Sequence, residues 1–274
     1  MAINSNPSPN QILKLLALSL LSSCEEPTDW QFQPLENGAL VVEAIITNEL
    51  KNQEILLSLS YDDLNGQPAP ATGAELRVAG GGETYEFQEV PGQPGRYLSE
   101  EAFAAKLVIN YTLDIQWNGG NYLATNRMVP VYPMKRLDFL PYGATDSLVV
   151  GEVAPIYLPY EQAMYEIDID WTHLVNSDSA RAKMFFYTFR TLDVNELFRP
   201  PRETVVFPKG SIVIERKHSL NPDFAAFQRA LAMETEWQGG VFDEASSSLP
   251  TNISNGGHGF FAVCAVISDT LIAE

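Results

Sequence analysis

The sequence predicts a mainly β protein: a β-sandwich followed by a second β-rich domain that carries one helix. Three observations predict it. Short runs of alternating or β-branched residues recur from Leu40 onward, glycine-rich turns separate them, and one strongly helical stretch follows Asn221. The 274 residues are 45% apolar and 11% aromatic, which is ample for a core despite a formal charge of −18.

The first segment stands outside that fold. Residues 12–21 are an apolar run too short to span a bilayer as a helix, and small residues follow it, as in a secretory signal. Cys24 comes directly after Leu21-Ser22-Ser23, which fits a bacterial lipobox: the peptidase cuts before the cysteine, and the thiol carries a diacylglyceryl group. Residues 1–23 are therefore expected to be a lipoprotein signal peptide and Cys24 the lipidated residue. The run departs from the usual pattern in one respect, since no basic residue precedes it and Lys14 stands alone within it. A signal peptide that merely contains a cysteine, or a buried amphipathic helix, is the competing reading.

Residues 24–38 read as an acidic tether. Glu25, Glu26 and Asp29 place three carboxylates within five residues of Cys24, and Pro27 and Pro34 keep the stretch extended. Anionic headgroups repel such a segment, so it projects a domain outward.

Residues 39–130 supply the sandwich. Strands are predicted at 40–48, 55–61, 74–79, 84–88, 95–99, 111–117 and 122–128. Gly80-Gly81-Gly82 and Asn118-Gly119-Gly120 have hairpin chemistry, because glycine tolerates the positive φ of tight turns. A phosphate-cradling loop is the sharper reading of these glycines, but neither a helix signal nor Lys-Ser/Thr follows them. Val129-Pro130-Val131-Tyr132-Pro133 is the expected boundary, since two prolines in five residues end a strand and favour an extended link.

Residues 131–274 form the second β-rich domain, with strands predicted at 136–140, 166–171, 183–191, 211–217 and 260–268. The run Phe185-Phe186-Tyr187-Thr188-Phe189 reads as buried strand. A helix is predicted over about 222–238: Asn221 caps, Pro222 suits the first turn, Asp223 complements the positive end, and Phe224, Phe227 and Leu231 share a face. Gly239-Gly240 is the expected stop.

Markers of chemistry are sparse. With 17 Lys and Arg against 35 Asp and Glu, the chain lacks the basic footprint that nucleic acid requires. The three histidines, His173, His218 and His258, share no metal-ligand spacing, and no Gly-x-Ser-x-Gly elbow occurs. His173 and His218 read as surface residues. His258, flanked by Gly256, Gly257 and Gly259, is placed to act as a base or contact a ligand, with a plain turn residue as the alternative. Cys264 sits in an apolar run and reads as a buried thiol packed as a small hydrophobe; with Cys24 acylated it has no disulfide partner. Asp62-Asp63-Leu64-Asn65-Gly66 invites a calcium reading but lacks EF-hand spacing, so a hairpin loop is the stronger reading. A glycosidase needs only two carboxylates placed by the fold, and sequence cannot choose a pair among so many. Tyr142, Tyr157, Tyr160 and Tyr165 crowd a proline-rich stretch and offer flat apolar faces with polar tips for partner or ligand contact, or else cover the core. No cofactor and no metal are expected.

Three stretches together resemble a known family. Leu40-Val41-Val42-Glu43-Ala44-Ile45-Ile46-Thr47-Asn48 matches its opening strand. Thr72-Gly73-Ala74-Glu75-Leu76-Arg77-Val78, followed by Tyr85-Glu86-Phe87 and Gly92-Gln93-Pro94-Gly95-Arg96-Tyr97, matches its middle. Pro250-Thr251-Asn252-Ile253-Ser254-Asn255-Gly256-Gly257-His258-Gly259-Phe260-Phe261 follows a helix, as in the family. On these the chain resembles the uncharacterised, domain-of-unknown-function lipoproteins of Bacteroidota outer membranes, often encoded beside TonB-dependent transporters of the starch-utilisation type. The likeness covers essentially the whole mature chain. It implies an immunoglobulin-like fold for residues 39–130 and placement at the cell surface. The acidic residues after Cys24 resemble the signal that sends such lipoproteins to the outer leaflet. Turn and strand features carry the likeness, so it implies no chemistry.

The expected function is that of a lipid-anchored outer-membrane protein facing the cell exterior. It would be a non-catalytic accessory or binding component of a TonB-dependent nutrient-uptake system, with the transporter or its associated lipoprotein as partner. A structural or adhesive surface protein is the alternative, and a surface hydrolase the third reading.

Overall fold

Alternating burial builds the first sheet. The computed structural model describes residues 38–61, 66–144, 146–153, 161–175, 177–190, 204–236 and 249–274. Strand β1 (Leu40–Thr47) turns Leu40, Val42, Ala44 and Ile46 inward. β2 (Glu54–Leu59), β3 (Glu75–Gly80), β4 (Glu83–Glu89), β5 (Arg96–Ser99), β6 (Asn110–Trp117) and β7 (Gly120–Arg127) follow, each within a few residues of its expected place. Gly81 and Gly82 turn β3 into β4 at φ 65° and 88°, and Asn118 and Gly119 turn β6 into β7 at φ 48° and 75°.

These strands do not pair as two separate sheets. A later strand, His258–Cys264, joins them, and the order is (258–264)-β1-β2-β5-β4-β3-β6-β7, eight strands in one ladder. The late strand runs parallel to β1, from Val41 opposite His258 to Thr47 opposite Cys264. The sheet curls until its ends meet: Val263 N donates to Asn126 Oδ1 at 3.2 Å, and Leu123 N to Ser254 Oγ at 2.7 Å. The sandwich layers thus belong to one nearly closed barrel-like sheet. Its core gathers Val42, Ile46, Leu57, Val78, Tyr97, Leu113 and Ile115 with Phe261 and Val263 from the far end of the chain.

The second lobe contains β8 (Phe139–Pro141), β9 (Ser147–Val150), β10 (Ala163–Asp170), a one-turn helix α1 (Thr172–Val175), β11 (Arg181–Thr188), β12 (Phe207–Pro208), β13 (Ile212–Ser219), helix α2 (Pro222–Thr235), β14 (His258–Cys264, lent to the first sheet) and β15 (Val266–Ile272). β11-β10-β13-β15 form an antiparallel sheet and β12-β9-β8 a smaller one. Leu148, Ile167, Phe207, Val213 and Leu271 share a core that draws on both sheets. In α2, Asn221 Oδ1 accepts from Phe224 N at 2.9 Å, and Pro222 opens the first turn, as the sequence predicts. The buried face of α2 is Phe224, Ala225, Gln228 and Ala232, whereas Phe227 and Leu231 are only half-buried. The helix lies against β14, where the Phe224 and Phe260 rings stand 5.2 Å apart. Among the described residues no helix is long and apolar enough to cross a membrane.

Three expectations need correction. The stretch 260–268 is not one strand: β14 ends at Cys264, β15 begins at Val266, and Ala265 between them passes the chain from one sheet to the other. Val266 N bonds Asn48 Oδ1 at 2.7 Å and Ala265 N bonds Ser219 Oγ at 2.9 Å, fixing that crossing. An unbroken apolar run hides such a break, because every residue from Phe260 through Val266 is buried and no alternation marks the point where the chain changes sheet. The split at residue 130 does not divide the sheets either, since β14 completes the first one. The link at 129–133 is bound in place: Val129 O accepts from Ser219 Oγ at 2.8 Å and Tyr132 O from Lys217 Nζ at 3.1 Å. Finally, among the described residues β11 pairs only with β10, and Phe185, Phe186 and Tyr187 are half-buried rather than enclosed.

Candidate functional site

Of the residues singled out from sequence for contact, Tyr142, Tyr165 and His258 are described, and they lie in separate parts of the fold. Tyr142 follows β8 and is half exposed, its N–H bonded to Ser147 O at 2.8 Å. Tyr165 is not a surface ring: it lies within β10, 3% exposed, in the second core. Burial first, then Glu161 and Glu215, push its hydroxyl up to about 12. Tyr157 and Tyr160 lie outside the described residues, as do Cys24 and Asp62 to Asn65. His258 opens β14, partly exposed, across from Val41. Its neighbour Gly259 is the constrained position, with φ 79° and no room for a Cβ against the Val42 carbonyl oxygen. Cys264 is 1% exposed, and burial pushes its thiol up to about 12, leaving it protonated and inert as a nucleophile.

His218 corrects another expectation, because it is buried at 6% exposure rather than on the surface. β13 alternates strictly: Val213, Glu215 and Lys217 point to the second core, while Ile214, Arg216 and His218 point to the other face. On that other face, Lys183 Nζ reaches Glu166 Oε1 at 2.8 Å and Asp168 Oδ1 at 3.3 Å. Arg216 Nη1 reaches Asp168 Oδ2 at 2.6 Å, and His218 Nε2 stands 3.4 Å from Glu166 Oε2, outside hydrogen-bond geometry. His218 and then Lys183 hold the Glu166 carboxyl far below the usual carboxylate range. Cross-strand placement explains the lattice, since Glu166 pairs with Arg216 across β10 and β13, and Asp168 with Lys183 across β10 and β11. It fixes register among three strands.

The inward face carries the less ordinary arrangement. Lys217 is 2% exposed and Glu161 7%; they meet at 2.7 Å, and the Lys217 ammonium lies 5.4 Å from the Tyr165 ring centre. Glu215, two residues earlier, is fully buried, and among the described residues neither of its carboxylate oxygens has a hydrogen-bond partner. Burial, with Asp269 opposite on β15, pushes Glu215 up to about 7 against the weaker pull of Lys217. These residues were legible in principle: strand periodicity from Val213 puts positions 215 and 217 inward.

One cleft stands out among the described residues. It has a volume of about 250 Å³ and lies where the end of β7 meets the start of α2. Asn110, Thr125 and Arg127 line one side, Pro222 and Asp223 the other, and the amides of Asn126 and Asn221 join at 2.6 Å between them. No aromatic ring lines it. Among the described residues no group of three or more His, Cys, Asp or Glu side chains is placed to hold a metal ion. Among the described residues Asp223 is the only acid that lines the cleft, so the two facing carboxylates of a glycosidase are not found there.

A β-rich protein with a curled sheet and a polar cleft is therefore the class that the geometry defines. The chain belongs to the family described as a domain of unknown function, DUF4249, whose model matches residues 25–270. No curated protein matches the chain.

Proposed function

We propose that the protein is a lipid-anchored surface component of an outer membrane of the Bacteroidota type, held by Cys24, which serves a TonB-dependent uptake system by contact rather than by turnover. The observation that carries this reading is the order of segments at the start of the chain. A short apolar run ends at Leu21-Ser22-Ser23-Cys24, three acids follow at once, and the family match opens at residue 25, directly after the cysteine. The match runs from there to residue 270, so it takes in the acidic stretch together with everything that follows it.

The charge supports the same reading. At −18 the chain is ill suited to polyanionic partners, and a tethered acidic body stands off a membrane of anionic lipids. Anchoring also raises the local concentration of a membrane partner, so a modest interface suffices. Affinity purification of the lipidated protein from native membranes tests this. Stoichiometric recovery of a transporter is the expected result. Recovery of no membrane partner, or turnover of a glycan or peptide by the purified protein, overturns it.

A further inference from the structure

We infer that the cleft between β7 and α2 binds a small zwitterionic ligand, a free α-amino acid or short peptide, with Arg127 taking its carboxylate and Asp223 its ammonium. The inference rests on the binding reading above and deepens it by naming a ligand class.

The argument begins with charges that face one cleft without being used. Arg127 closes β7 and Asp223 sits in the first turn of α2, so the two project from different elements into the same space. Among the described residues neither side chain makes a hydrogen bond or ion pair, and they do not bridge to each other. Every other cationic side chain named on the sheets above, by contrast, is paired: Arg77 with Asp114, Arg96 with Glu54, Arg181 with Asp170, Arg216 with Asp168. One free guanidinium and one free carboxylate across a gap complement a ligand that carries both opposite charges. A guanidinium also offers a carboxylate two parallel donors.

The floor is rigid. Asn221 Nδ2 donates to Asn126 Oδ1 at 2.6 Å and to the Arg127 carbonyl at 3.1 Å, and Asn126 Oδ1 also accepts from Val263 N at 3.2 Å. Asn221 Oδ1 is committed to capping α2. These amides therefore shape the cleft without competing for ligand, while the Asn110 amide at the rim has no partner among the described residues and is left to meet a peptide group. Size and lining narrow the class further. About 250 Å³ suits a single residue or dipeptide rather than a macromolecular groove. With no aromatic ring among the described lining residues, the flat apolar platform that a sugar stacks on is missing.

Calorimetric titration of the full mature chain with L-alanyl-L-alanine tests the inference, alongside the same dipeptide blocked at both ends and glucose. Saturable binding of the free dipeptide is expected, with no binding of the blocked form or of glucose. Arg127→Gln and Asp223→Asn should each weaken binding at least tenfold (~1.4 kcal/mol) while circular dichroism stays unchanged. Absence of saturable dipeptide binding, equal binding of the blocked form, or binding of glucose alone would each overturn it. A folded Arg127→Gln variant that binds like the wild type does so as well. Failure here leaves the membrane-partner reading standing, because recovery of a transporter from membranes is read independently of this titration.

Discussion

Lys217 and Glu161 meet at 2.7 Å inside the second lobe, where both are almost fully enclosed and the Lys217 ammonium also bonds the Tyr132 carbonyl at 3.1 Å. Glu161 Oε1 in turn accepts from Tyr132 N at 3.1 Å. A buried ion pair ties the chain just after β7 to the middle of the second sheet.

That pair gives the first prediction. Lys217→Met leaves the Glu161 carboxylate enclosed without its counter-charge, and such an orphan destabilises a fold by about 3–5 kcal/mol. Urea unfolding should show that loss, and adding Glu161→Leu should recover most of it. A single variant as stable as the wild type would mean that the two charges are not held together in solution.

Glu215 gives a pH dependence with a definite sign. Its carboxyl titrates near 4.5 when unfolded and at about 7 when folded. Below 4.5 it is neutral in both states and contributes nothing. Between 4.5 and 7 the unfolded chain ionises while the folded one stays protonated, so stability falls as pH rises, and above 7 the deficit is constant at about 3 kcal/mol. Asp269 and Lys217 face the same carboxyl and partly offset one another. Glu215→Gln should therefore match the wild type near pH 4 and exceed it in stability at pH 8. Parallel pH profiles for the two proteins would contradict this account.

Gly259 should tolerate no side chain. Alanine there meets the Val42 carbonyl at φ 79°, in the parallel pair of β14 with β1, whereas Gly119 at φ 75° has nothing within 4 Å. Gly259→Ala should cost at least about 2 kcal/mol and Gly119→Ala about 1 kcal/mol, seen as unequal drops in melting temperature. Equal drops would show that positive φ alone matters and that the approach to β1 does not.

Cys24→Ala should leave the protein unlipidated and free of the membrane fraction, since stable anchoring needs more than one acyl chain and a single cysteine is proposed to carry the site. Mass spectrometry of the mature N-terminus decides it. An unmodified Cys24 in the wild type, or cleavage elsewhere, removes the anchor from the proposal.

Local structure was the most legible part of the sequence. The first seven strands, the Asn118-Gly119 turn and the Asn221 cap follow from alternation, positive-φ residues and a side-chain oxygen before a proline, all of which act over a few residues. Long-range pairing was not legible. Nothing in Leu40–Thr47 states that its second neighbour is His258–Cys264, because both edges of a strand look alike to local pattern. The cleft escaped for a related reason: Asn110 and Arg127 face each other across the β6–β7 hairpin, but Asp223 lies far later in the chain and joins them only in the finished fold. Tyr165 was misplaced because aromatic clustering does not tell a ring on the surface from one in a strand. Periodicity within β10 makes that distinction.

The parallel pairing of β1 with β14 also sets an order in time. A chain that emerges from its N-terminus makes β1 among the first elements, yet the neighbour on one of its edges arrives more than two hundred residues later, near the end. Until then that edge of β1 is open and the barrel cannot close. The body should therefore complete its folding only after nearly all of it has been delivered, and a chain stalled before residue 258 should persist as a protease-sensitive, aggregation-prone species. The distance between the two strands in sequence thus acts as a delay: the sheet stays open along β1 until residues 258–264 are available to pair with it.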